Sequence, residues 1–121
     1  MANVVVIDDE EAVRRSLLNM LEQKGHNVLL APNGVAGLQQ CQDNDVDLAI
    51  VDIFMPEKDG LEVIRTLKLQ HESIKVMAIT GGGSLEINFL PEARALGAEQ
   101  TLRKPFTANE LYATLDVLLG A

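Results

Sequence analysis

Aromatic side chains are nearly missing from this sequence: 121 residues include no Trp, one Tyr and three Phe. So few rings leave little to stack on nucleic-acid bases or to sandwich a flavin, and large planar ligands are disfavoured. Positive charge is scarce as well, with 10 Lys and Arg against 18 Asp and Glu, and the formal net charge of −8 repels phosphate backbones and anionic lipid. Neither direct nucleic-acid binding nor a membrane-surface role is expected. The single cysteine, Cys41, excludes an internal disulfide and suits a reducing compartment such as the cytoplasm, where a lone Cys is a small buried hydrophobe. No apolar run approaches the roughly 18 residues of a membrane-spanning helix. The apolar start, Val4 to Ile7, runs directly into Asp8-Asp9-Glu10-Glu11 and not into a small-residue cleavage site.

What the chain does have is 47% hydrophobic residues, enough for one continuous core at this length. With no linker, repeat or low-complexity segment, a single domain over residues 1–121 without an output domain is expected. Short β-branched runs alternate with amphipathic stretches throughout, the pattern of a parallel sheet covered by helices on both faces. The predicted strands are Asn3 to Ile7, Asn27 to Ala31, Asp47 to Val51, Lys75 to Ile79 and Glu99 to Arg103. Val13, Leu17, Met20 and Leu21 fall at helical spacing, and Gly25 supplies a left-handed stop after Lys24. A turn at Pro32-Asn33-Gly34 opens a second helix reaching about Gln42, with Cys41 on its inner side. Asp59 with Glu62 and Thr107 with Glu110 are capping pairs for the third and fifth helices. The fourth helix is shortened to about Leu90 to Leu96, because Pro91 fits only a first turn.

In a doubly wound sheet, ligands gather beyond the carboxyl ends of the strands. Asp8 and Asp9 close strand one, Asp52 closes strand three, Thr80 strand four and Lys104 strand five. Singly, each has a plain structural reading. Asp8 or Asp9 could cap the first helix, Asp52 could be a turn residue, Thr80 a strand end and Lys104 a surface lysine. Gly81-Gly82-Gly83 lacks the Lys-Ser/Thr of a phosphate-binding P-loop, and His26 and His71 have no metal-ligating neighbours in sequence.

In combination, Asp8-Asp9, Asp52, Met55-Pro56 with Asp59-Gly60, Thr80 and Lys104-Pro105-Phe106 resemble the receiver domain of bacterial response regulators. The resemblance implies an α/β fold: a doubly wound, five-stranded parallel sheet of flavodoxin-like order 2-1-3-4-5 with helices on both faces. It implies a phosphoacceptor signalling switch and not an enzyme, one that assists its own phosphorylation and dephosphorylation. Asp52 would take a phosphoryl group from a phosphohistidine on a histidine kinase or histidine phosphotransfer protein. Mg²⁺, or alternatively Mn²⁺, would be held by Asp8, Asp9, Asp52 and the backbone carbonyl of Phe54. The chemistry fits these residue types: crowded carboxylates need a cation, Mg²⁺ takes hard oxygen ligands, and Lys104 and the Thr80 hydroxyl offer donors to phosphoryl oxygens. The resemblance further implies a cis Lys104-Pro105 bond, donor docking beside the first helix, and a changed helix 4/strand 5/helix 5 face read by a downstream protein. A monomer or weak dimer is expected.

Two positions depart from the common receiver pattern. Thr101 occupies a place where many receivers carry Tyr or Phe, and Phe54, two residues past Asp52, cannot orient an attacking water. With three glycines following Thr80, these suggest output through ordering of the segment Gly81 to Leu90 instead of an aromatic rotamer. Other readings are a flavin binder, which the acidic first loop disfavours, an unphosphorylated interaction module and a phosphatase.

Overall fold

The computed structural model describes residues 1–55, 59–81 and 89–120. The strands are β1 (Asn3–Ile7), β2 (Asn27–Ala31), β3 (Leu48–Asp52), β4 (Lys75–Thr80) and β5 (Gln100–Arg103). The helices are α1 (Glu11–Gln23), α2 (Gly34–Asp43), α3 (Gly60–Gln70), α4 (Leu90–Leu96) and α5 (Ala108–Leu119). All strand pairs are parallel and the sheet order is β2-β1-β3-β4-β5, the order implied by the receiver resemblance. Among the described residues no helix is long and apolar enough to cross a membrane.

Strand alternation divides the core in two. Val4, Val6, Leu48, Ile50, Met77 and Ile79 turn toward α1 and α5, where they pack with Leu17, Leu21, Leu111 and Leu115. Val5, Ile7, Ala49, Val51, Val76 and Ala78 face the other way, onto Cys41, Val63, Ile64, Leu67 and Ala93 of α2, α3 and α4. Leu17 and Leu21 are fully buried at helical i,i+4 spacing, and burial of each contributes about 2 kcal/mol. The central strand β3 is buried along its whole length.

Local signals end the elements as the sequence suggests. Asn33 caps α2 by accepting from Ala36 N–H, and Asp59 caps α3 by accepting from Glu62 N–H. Thr107 and Glu110 form a reciprocal capping box on α5. Pro91 lies in the first turn of α4, where its missing N–H has no helical acceptor to lose. The strand limits differ slightly from expectation. β3 begins at Leu48 and includes Asp52, because the Asp47 carboxylate turns aside to accept from Asn3 N–H while Asp52 is registered with Ile79. β4 runs one residue further, to Thr80. β5 starts after Glu99, whose carboxylate binds Lys68 and Val76 N–H. Residues 82–88 lie outside the described residues, and with them most of the Gly81 to Leu90 segment named as a switch element; so does Pro56.

Two glycines are required for different reasons. Gly25 follows α1 at φ +83, a left-handed conformation with open space around its Cα. Gly60 opens α3 against the end of β3, donating its N–H to Ile53 O at 2.8 Å. A Cβ there would overlap the Asp52 carbonyl oxygen and approach Ile53 Cα to 2.5 Å, both backbone atoms that cannot swing away. Gly25→Ala should cost about 1 kcal/mol from its dihedral alone. Gly60→Ala should cost at least twice that, about 2 kcal/mol or more, because the β3–α3 connection must open. Urea unfolding of the two variants checks the ranking; equal losses would refute the close approach.

Candidate functional site

The register of the sheet assembles the site. Ile7 is paired with Val51, so Asp8 emerges from β1 beside Asp52 at the end of β3. Thr80 is paired with Arg103, so Lys104 emerges from β5 beside Thr80, and Lys104 N–H donates to Thr80 O at 2.7 Å. Among the described residues the buried polar side chains are Asp8, Asp52 and Thr80, all at this rim. Burying a carboxylate without partners is strongly unfavourable, so a core that tolerates two side by side calls for compensation.

Lys104 supplies part of it. The Lys104–Pro105 peptide is cis. Its Nζ lies 3.0 Å from Glu10 Oε1, 3.1 Å from Asp8 Oδ2 and 3.4 Å from Asp52 Oδ2. The contacts with Glu10 and Asp52 are hydrogen bonds, and Asp8 Oδ2 is held by ion pairing with the same ammonium. Asp52 Oδ1 accepts from Phe54 N–H at 3.1 Å, and Asp8 Oδ1 from Glu10 N–H at 2.9 Å. Arg14 braces the loop by donating to Asp8 O at 2.8 Å. The Thr80 hydroxyl is fully buried and has no hydrogen-bond partner among the described residues.

This leaves the negative charge undercompensated. Burial, reinforced by the charge of Asp8, pushes the Asp52 carboxyl up to about 7, against the opposing pull of Lys104 and Phe54 N–H. Burial also raises Asp8, opposed by Glu10 N–H and Lys104. Burial alone would lower Lys104, but the hydrogen bond to Glu10 and the charges of Asp52 and Asp8 outweigh it and hold the ammonium above its ordinary value. Carboxylate oxygens of Asp8, Asp9, Glu10 and Asp52 all lie within 4.8 Å of one another. An all-oxygen donor set in which two buried carboxylates share one ammonium suits a hard divalent cation.

Asp8, Asp9, Asp52 and Lys104 are thus brought together as the sequence suggested, with Thr80 at the end of the adjoining strand. Neither Asp8 nor Asp9 caps α1, whose N-cap is Glu10 without a side-chain cap bond. Asp59 serves α3 only as its cap. Phe54 borders the site through its backbone, while its ring meets Phe89 edge-on at 5.3 Å. The sequence reading gave Glu10 no role at the site. Its place directly after Asp8-Asp9 was the available signal, but the reach of Lys104 across the sheet cannot be read from spacing.

The domain is five-stranded and doubly wound, with two buried carboxylates and a lysine at its carboxyl rim, and sequence comparison names its family. The response regulator receiver domain profile matches residues 4–116. Response regulator MprA from Mycobacterium sp. (strain KMS) is 35% identical over 116 residues, covering 96% of this chain and 50% of that protein. The chain therefore spans about half the length of the curated relatives it matches. Among solved structures, the Vibrio cholerae chemotaxis protein CheY4 is 29% identical with a TM-score of 0.88, each chain 98% covered. TrrA from Thermotoga maritima, solved in complex with Mg(2+)-BeF, is 27% identical with a TM-score of 0.87, covering 98% of this chain and 99% of that one. The chain belongs to the response regulator receiver domain family, the phosphorylatable signalling switches of two-component systems.

A raised folded-state pKa favours the native state at low pH, and that contribution is lost as pH rises to the folded value. Relative to Asp52→Asn, the metal-free protein should therefore lose stability between pH 3.8 and about 7 and then level off. The gap at pH 8 should be on the order of 1 kcal/mol or more in favour of Asn, and Mg²⁺ should narrow it. Paired denaturation curves across pH are the check; a gap independent of pH would contradict the electrostatics.

Proposed function

We propose that Asp52 is the phosphoacceptor of this receiver domain, taking its phosphoryl group from a phosphohistidine on a histidine kinase or histidine phosphotransfer protein. The observation that carries this reading is the buried Asp52 carboxylate, with one oxygen on Phe54 N–H and the other facing Lys104. In the transfer, an Asp52 oxygen forms the O–P bond as the P–N bond to the donor breaks, and the departing imidazole takes up a proton. Lys104 meets the charge on one transferring oxygen. The Thr80 hydroxyl, buried with no partner among the described residues, donates to a second once the phosphoryl group is in place.

Asp8, Asp9, Asp52 and the Phe54 carbonyl are the groups proposed to hold Mg²⁺, with Mn²⁺ an alternative; the all-carboxylate cluster and the single ammonium shared by its two buried members support this set. Mg²⁺, when bound, supplies neutralising charge to the carboxylates and the transferring oxygens. A cleft of about 470 Å³ between Ala12, Val13 and Ser16 of α1 and Pro105-Phe106 opens beside Lys104 and Gly81, and gives a donor histidine a path to the site. On the output side, Leu90, Thr101, Arg103, Pro105 and Glu110 border a groove between α4, β5 and α5, which we take as the face read by a downstream protein. With Thr101 in place of an aromatic residue, β5 brings no aromatic ring to that groove.

A small phosphodonor such as acetyl phosphate should, with Mg²⁺, add one phosphoryl group to the intact protein, and Asp52→Asn or EDTA should abolish it. Lys104→Ala should slow the reaction roughly 10- to 100-fold. Thr80→Ala should still accept the group but lose its conformational response. Intact-mass and peptide-mapping measurements decide: an adduct on another residue, or one undiminished in EDTA, would overturn the assignment.

A further inference from the structure

Among the described carboxylates at the rim, Glu10 is the one that the phosphoacceptor reading does not use, although it lies as near the Lys104 ammonium as any of them, at 3.0 Å against 3.1 Å for Asp8 and 3.4 Å for Asp52. The two residues are 94 positions apart, so this bond ties the start of α1 to the end of β5. Its partners are unequal in setting: the Glu10 side chain is 60% exposed and that of Lys104 only 14%. Glu10 can therefore exchange Lys104 for water at little cost, while Lys104, enclosed by carboxylates, must always hold some oxygen.

We infer that Glu10 is a positioning residue that parks the Lys104 ammonium until a phosphoryl oxygen replaces it. This rests on the reading of Asp52 as phosphoacceptor. In the metal-free site Lys104 is shared by Glu10, Asp8 and Asp52, so each contact to Glu10 draws the ammonium away from the carboxylates that are to hold a cation. Glu10 thereby favours the metal. Once Asp8 and Asp52 are neutralised by a divalent ion, Glu10 is the main rival for Lys104, and a phosphoryl oxygen has to displace it. Glu10 thereby opposes the phosphoryl group. The same side chain acts with opposite sign on the two ligands, which neither a general loss of stability nor a simple packing role would produce.

The test compares wild type, Glu10→Gln, Lys104→Ala and the double variant, with Glu11→Gln as control. Glu11→Gln removes the same charge one residue away, where the carboxylate pairs with the exposed Arg15 at 3.5 Å. Two titrations followed by amide NMR are made on each protein: Mg²⁺ alone, and beryllofluoride at saturating Mg²⁺. Glu10→Gln should bind Mg²⁺ roughly 2- to 5-fold more weakly and beryllofluoride roughly 3- to 10-fold more tightly, the range of a partly exposed ion pair. Glu11→Gln should match wild type. In the Lys104→Ala background the Glu10 effect on beryllofluoride should vanish, and the Mg²⁺ titrations give the same coupling even where beryllofluoride binding is too weak to follow. Shifts of the same sign for both ligands, or no shift, would overturn the inference. So would an effect of Glu10→Gln that persists without Lys104, since it would mark through-space repulsion. If wild type binds no beryllofluoride, the phosphoacceptor reading fails and this inference with it; if wild type binds and only the Glu10 pattern is absent, the phosphoacceptor reading stands.

Discussion

The structure depends on two buried carboxylates, Asp8 and Asp52, sharing a single ammonium at the carboxyl edge of the sheet. Water does not reach them to any useful extent, and two negative charges against one positive leave a deficit that hydrogen bonds from Phe54 and Glu10 backbone groups only reduce. Such a site favours whatever brings positive charge to it. It also fixes what surrounds it: Gly60 must lack a side chain so that α3 can start against the Asp52 backbone, and Lys104 must follow directly on the β5 register. The rim is less stable than an apolar core would be, and that instability makes it responsive.

Most of the fold was legible because its signals are local or periodic. The β1 and β2 limits, the Gly25 stop, the Asn33 turn, both capping pairs and the short α4 behind Pro91 follow from residue chemistry within a few positions. The small misplacements in β3 and β5 arise where a side chain bonds across strands, as Asp47 does with Asn3 and Glu99 with Lys68, contacts that no local pattern encodes. The strand order came from resemblance and not from periodicity. The same division applies to the site. Strand-end positions marked Asp8, Asp52, Thr80 and Lys104, since register then places them on one rim. Glu10 escaped because its role is set by a lysine 94 residues away.

The negative charge, the scarcity of rings and the acidic first loop argue against nucleic-acid and flavin binding, and the geometry of the rim supplies a positive account in their place. The Asp52 carboxylate, the Thr80 hydroxyl and the Lys104 ammonium come from the ends of three different strands, so one parallel sheet brings together groups that lie far apart in the chain. The chain matches about half the length of its curated relatives such as MprA, while CheY4 and TrrA match it over nearly their whole length.

The account turns on charge crowding that a cation relieves, and carbon-13 NMR of the Asp side-chain carboxyls reads it directly. In metal-free protein the Asp52 carboxyl should titrate near its raised value of about 7, in a curve coupled to Asp8. Saturating Mg²⁺ should lower that midpoint by more than about one pH unit. A midpoint already in the ordinary carboxylate range without metal, and unmoved by Mg²⁺, would contradict the account.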